Sequence, residues 1–197
     1  MIFLDTCIWI ELLSVHTPTK EHEIRQAQAA SNLLNTILET NEQIVTCEEQ
    51  LLEIISAIQK VTMRTVNRER KQNQLPGINN LKQFRQLEEF NATKELCKSV
   101  IEDVKHFARI NEMGCYDIDS ILNRLEVADI NDCLYYDYCT ANNVKFYTFD
   151  SDLKCLGESQ ILYSFDSELN DWIVTYCSIN KNSNESKCFR FVAIFIY

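Results

Sequence analysis

Short apolar runs recur along this chain, and helix-length amphipathic segments lie between them; that alternation constrains the fold more than any other feature. The opening MIFLD passes straight from apolar residues into Asp5. Gln43–Thr46 (QIVT) and Val144–Asp150 (VKFYTFD) have the same form. Runs this short suit strands buried on both faces of a sheet. ILYSF (161–165) and DWIVTYC (171–177) read as later strands. Pro18 suits the first turn of a helix running to about Thr40, with Ile24, Ala27, Leu34, Ile37 and Leu38 in its apolar stripe. After QIVT a second helix carries Leu51, Leu52, Ile54, Ile55 and Ile58, and Thr46 with Glu49 predicts a capping box at its start. Pro76 and Gly77 break the chain within Leu75–Asn80. A long helix is then expected from about Leu81 to Ile110, a turn at Gly114, a short helix near Ile118–Leu125, and another from Asp129 to Asn142–Asn143.

Strands alternating with helices predict an α/β sandwich with a mostly parallel central sheet. The expected division is one domain over 1–178, containing a long helical insertion over 60–115. A polar linker and an apolar tail follow over 179–197, read as an edge strand or a partner-binding segment.

Three of the proposed strands lead into acids. The first ends at Asp5; the second leads to Glu49 and Glu53; the third passes through Thr148 into Asp150. In open parallel sheets, functional sites lie beyond the carboxyl ends of the strands. Asp132, in the first turn of the helix feeding the third strand, reaches the same edge. Each acid also has a purely structural use to weigh. Asp5 or Thr6 can cap a helix, and Glu49 is explained by the capping box. Glu53, set among Leu and Ile, is costly unless paired or metal-bound. Of Asp129 and Asp132, the first is assigned the cap and the second the ligand role. Asp152 reads as a cap or an outer ligand, so Asp129, Asp152 and Thr6 are secondary candidates. Crowded carboxylates repel, and some stay protonated at neutral pH unless a cation joins them. Mg²⁺ accepts such oxygen ligands while keeping several waters, and one or two ions can serve phosphodiester hydrolysis.

These segments resemble the PIN-domain family, of the VapC-like toxin and ribonuclease type. MIFLDTCIWI is similar to the family's opening strand with its first catalytic Asp as Asp5. LLEI (51–54) resembles the segment carrying the family's Glu, here Glu53. NDCLYYDYCTANNVKFYTFDSDL (131–153) resembles its C-terminal signature, with Asp132 and Asp150 as the two acids and Thr148 as the neighbouring Ser/Thr. Cys7 departs from the Asn often found two residues after the first Asp, and the stretch from Lys60 to Cys115 is longer than in compact PIN toxins. The resemblance implies a three-layer α/β/α fold and Mg²⁺- or Mn²⁺-dependent cleavage of RNA. It also implies, for many members, a toxin role with a small antitoxin partner, and frequent homodimers.

Substrate contact is expected from the basic stretch Arg64, Arg68, Arg70 and Lys71, whose bland use is a solvated helix face. Tyr135, Tyr136 and Tyr138 either stack on bases or pack between helix and sheet. His16, His22 and His106 form no evident catalytic pair. The net charge of −10 argues against a passive nucleic-acid clamp, although carboxylates gathered around cations contact phosphate through those ions. Nine cysteines without a C-x-x-C pair suggest reduced thiols and a cytoplasmic location. Asp5 and the late first cation, Lys20, argue against a secretory signal, and no membrane span is expected. The competing functions are a PIN-like binding scaffold without catalysis and a haloacid-dehalogenase-type phosphohydrolase. The latter wants a second Asp where Cys7 stands.

Overall fold

The computed structural model describes residues 1–150, 153, 156, 162–166, 168–179 and 186–192, with only the backbone described for 173–179 and 186–192. Strands β1 (Ile2–Leu4), β2 (Ile44–Thr46), β3 (Ala108–Ile110), β4 (Lys145–Thr148), β5 (Leu162–Asp166), β6 (Asp171–Ile179) and β7 (Ser186–Val192) form one sheet. Their order is β3-β2-β1-β4-β5-β6-β7. From β3 to β5 neighbours are parallel, and β6 and β7 extend the sheet antiparallel. The helices are α1 (Thr6–Leu12), α2 (Glu21–Glu39), α3 (Glu48–Gln72), α4 (Leu81–Phe84), α5 (Phe90–Phe107), α6 (Ile118–Leu122) and α7 (Ile130–Asn142). Among the described residues, no helix is long and apolar enough to cross a membrane.

Alternation along each strand sorts side chains between two cores. Ile2 and Leu4 of β1, Ile44 of β2 and Tyr147 of β4 join one core with Trp9, Leu33, Ile54 and Val100. Phe3, Val45 and Phe146 point the other way, into a core with Cys133, Tyr135 and Tyr138 of α7. Helices therefore cover both faces, giving the three layers that short, fully apolar strands require.

Several local expectations are corrected. Helix α2 begins at Glu21, not at Pro18; Glu23 turns back to accept hydrogen bonds from the backbone N–H of Thr19 (2.9 Å) and Lys20 (3.1 Å). The Thr46–Glu49 capping box does not form. Cys47 is the N-cap of α3, its sulfur accepting from the N–H of Gln50, while Glu49 is bonded by the Tyr116 hydroxyl. The single helix expected over 81–110 is two helices and a strand. Buried Phe84 ends α4 and meets Phe90 of α5 edge to face, and the last three residues pair with β2 as β3. The segment 60–115, expected as a helical insertion within the domain, thus also contributes a strand to the sheet. Helix α1, which the sequence left unassigned, starts directly at Asp5. In the C-terminal stretch, 186–192 is the edge strand β7, while 180–185 and 193–197 lie outside the described residues.

Helix α3 is tied to the strand ends by buried polar groups. Gln50 donates to the carbonyl of Leu4 (2.8 Å), the last residue of β1, and accepts from the hydroxyl of Thr46 (2.7 Å), the last of β2. This bridge fixes the first turn of α3 against both strands, and Glu53 follows three residues on. Gln50→Ala strands the Leu4 carbonyl and leaves a cavity, so it should destabilise the protein by about 3 kcal/mol in urea unfolding. A loss below about 1 kcal/mol would show that the bridge contributes little.

Candidate active site

The sheet order reverses direction at β1. From β1 the chain moves outward to β2 and β3, then returns to place β4 on the other side. A crevice opens at such a switch point, beyond the carboxyl ends of the two strands. Asp5 follows β1, and Asp150 lies just beyond β4. The register Leu4↔Tyr147 brings those ends side by side, and the N–H of Asp5 donates to the carbonyl of Tyr147 (2.9 Å).

Asp5 is buried, and both its oxygens are hydrogen-bonded. Oδ1 accepts from the N–H of Thr6 (2.6 Å), which makes Asp5 the N-cap of α1. Oδ2 accepts from the Thr148 hydroxyl (2.5 Å) and from the Cys7 thiol (3.2 Å). Thr148 in turn accepts from the N–H of Asp150 (2.9 Å), so one hydroxyl links the two acids. Cys7 also accepts from the N–H of Phe149 (3.4 Å). Burial and the adjacent Asp5 push its thiol well above the usual range, which keeps it a protonated donor.

Glu53 projects from α3, and its Oε2 accepts from the hydroxyls of Thr6 (2.8 Å) and Tyr135 (2.6 Å). Among the described residues, no donor reaches its Oε1. Asp129 is the N-cap of α7, accepting from the N–H of Asp132 (3.0 Å), and Asp132 accepts in return from the N–H of Asp129 (3.3 Å). The capping role assigned to Asp129 holds, and Asp132 is its reciprocal partner as well as a wall of the crevice. Asp5, Thr6, Cys7, Glu53, Asp129, Asp132 and Asp150 all line one cleft of about 620 Å³. Buried Thr148 stands behind Asp5. Asp152 lies outside the described residues.

The cleft is electrostatically crowded. Burial raises Asp5 to about 6; the Glu53 charge adds to this, and the bonds from Thr148 and Cys7 oppose it. Burial also raises Asp132, to about 8, reinforced by the charges of Asp5, Asp129 and Asp150. Among the described residues, no three His, Cys, Asp or Glu side chains converge as a ligand group. Asp5, Glu53 and Asp132 are each held instead by donors of the protein. The four acids expected to hold the metal, Asp5, Glu53, Asp132 and Asp150, thus line the same cleft.

Of the basic stretch, Arg64 and Arg68 line this cleft. Arg70 is committed elsewhere: it donates to the carbonyl of Pro76 (2.8 Å) and to Glu89 (2.9 Å). Lys71 is exposed and is not among the lining residues. Tyr135, Tyr136 and Tyr138 are all buried, which corrects the base-stacking option. Tyr135 matters differently, as a donor to Glu53, and the helical spacing from Asp132 was its one sequence signal. His16 and His22 also line the cleft, with His16 Nε2 at 3.7 Å from Glu11.

The family model of the PIN domain matches residues 2–158. Searches of curated proteins and of solved structures find no significant match. The matched stretch takes in β1 through β4 and every element that brings an acid to the cleft, while β5 to β7 lie beyond it. By that match the chain belongs to the PIN-domain family, whose members are in general nucleases.

Proposed function

We propose that the protein is a divalent-metal-dependent endoribonuclease, with Mg²⁺ or Mn²⁺ held by Asp5, Glu53, Asp132 and Asp150. The carrying observation is that acids from four separate elements face one cleft at the switch point of the sheet. The donor set fits the ions. It consists of hard carboxylate oxygens; among the described residues Glu53 Oε1 has no donor, and the raised Asp5 and Asp132 mark negative charge that a cation would relieve. Bound there, a divalent ion supplies Lewis-acid activation of water and of the phosphate oxygens.

The chain's own groups set the geometry. Thr148 and Cys7 hold Asp5, and Thr6 and Tyr135 hold Glu53, so both carboxylates are oriented before substrate arrives. Arg64 and Arg68 offer cations for the RNA backbone within a strongly acidic protein. The reading extends to a toxin role with a small antitoxin-like partner, and to a homodimer, as the resemblance implies for many members of the family. The exposed apolar side chains Ile118, Leu122, Leu125, Val127 and Ile130, close in sequence to Asp129, support a protein partner. The free thiols of Cys7, Cys47, Cys97, Cys115, Cys133 and Cys139 fit a reducing, cytoplasmic compartment.

A second reading, a PIN-like binding module without catalysis, is favoured by the unconverged carboxylates. Cleavage and metal response separate the two. Asp5→Asn and Asp150→Asn should each abolish metal-dependent RNA cleavage while circular dichroism stays native; full activity in either variant would overturn the assignment.

The pH dependence has a definite sign. The folded protein holds protons on Asp5 and Asp132 up to about 6 and about 8, against 3.8 for an ordinary aspartate carboxyl. Metal-free stability from these groups is therefore full below pH 3.8 and is lost as pH rises through about 6 and about 8. Asp5 and Asp132 would have to lose those protons to hold a divalent ion, so the rise in Tm caused by Mn²⁺ should be larger at pH 8 than at pH 6. Asp132→Asn should remove most of that difference. Equal shifts at the two pH values, or none at either, would argue for the binding module.

A further inference from the structure

We propose that the RNA strand leaves the acidic cleft between His16 and Arg68 and seats a flanking nucleotide in a second groove, making the segment between β2 and β3 a substrate-binding element. This rests on RNA being the substrate, as proposed above. The second groove, of about 440 Å³, lies between the loop joining α1 to α2 and the helices α3 and α5. Both depressions are lined by His16 and Arg68, so they are adjacent, with these two side chains at their junction.

Three observations give the groove its chemistry. First, a single stripe of α3 runs along the path: Glu53, Ala57, Val61, Arg64 and Arg68 all face the acidic cleft. At about 1.5 Å per residue, Arg64 and Arg68 lie about 16 Å and about 22 Å down the axis from Glu53. Second, Arg64 and Arg68 have no ion-pair or hydrogen-bond partner among the described residues, whereas Arg70 is paired with Glu89. At the junction, the buried Nδ1 of His16 likewise has no hydrogen-bond partner among the described residues. Third, the groove combines apolar lining from Val15, Val66 and Leu96 with the hydroxyl-bearing Thr17, Thr19 and Thr65. A nucleobase needs that combination, with its face against apolar groups and its edge near polar ones. Glu11, Glu23 and the Arg70-paired Glu89 also stand in these walls, and Arg64 and Arg68 supply the cations along the path that a single strand needs, with a splayed base free to enter the groove.

The test uses the full chain with Mn²⁺ and two substrates: an unstructured oligoribonucleotide of about a dozen nucleotides and bis(p-nitrophenyl) phosphate, which is too small to reach the groove. Ala92 is exposed on α5 and lines the groove, so Ala92→Trp fills it. The ratio of kcat/KM for RNA to that for the small diester should fall about tenfold, through KM. Arg68→Gln is the second variant. It should lower the same ratio and reduce the salt dependence of RNA binding by about one phosphate contact. An unchanged ratio in both variants, each with a wild-type Tm, overturns the proposal. If the wild-type protein cleaves neither substrate, the nuclease reading fails on its own. Fluorescence anisotropy with the same RNA then decides the groove: a Kd raised about tenfold by Ala92→Trp supports it, and an equal Kd overturns it.

Discussion

Strands β1 and β4 are far apart in sequence, and at their carboxyl ends the hydroxyl of Thr148 donates to the carboxylate of Asp5. Much of the local architecture depends on that contact. It lets an acid sit buried at the end of an apolar strand, where an unpartnered carboxylate would be too costly. The other oxygen of the same acid starts α1, which sets the direction in which the chain leaves the sheet. The acceptor side of the same hydroxyl takes the N–H of Asp150, so the turn after β4 is set by the same atom.

The neighbouring acids are held from both faces of the sheet. Glu53 comes from α3 in one helical layer and Tyr135 from α7 in the other, and they meet at the strand ends. Gln50 fastens the first turn of α3 to the carbonyl of Leu4, so the position of Glu53 is transmitted from the sheet and not left to a loop. Raised proton affinity at Asp5 and Asp132 follows first from burial, which keeps water from dissipating the charge, and then from the neighbouring carboxylates.

The parts legible in the sequence are those where one physical demand dominates. Phe3, Val45 and Phe146 belong to strands buried on both faces, and such strands appear as uninterrupted apolar runs. Asp129 was recognisable as a cap because it stands just before an apolar helical pattern, and Asn143 ends that helix in the left-handed conformation, at φ 50°. What stayed hidden depends on partners distant in sequence. Strand β3 contains Arg109 and continues directly from α5, so only its pairing with β2 makes it a strand. Thr46 and Glu49 have the spacing of a capping box, but Cys47 takes the cap, while Thr46 turns to Gln50 and Glu49 to Tyr116. Arg70 reads like Arg68 in the sequence, yet Glu89 and Pro76, well downstream of it, engage one and not the other.

Helix α3 is continuous from Glu48 to Gln72, and it carries an acid of the cleft near one end and Arg64 and Arg68 of the same cleft toward the other. A rod of that kind works as a ruler. On the nuclease reading, the interval between the point of scission and the point of grip is set by the helical rise, not by loop motion. The enzyme would then cut at a constant offset from whatever feature of the strand the arginines engage, and fragment lengths would be dictated by the protein rather than by base sequence alone.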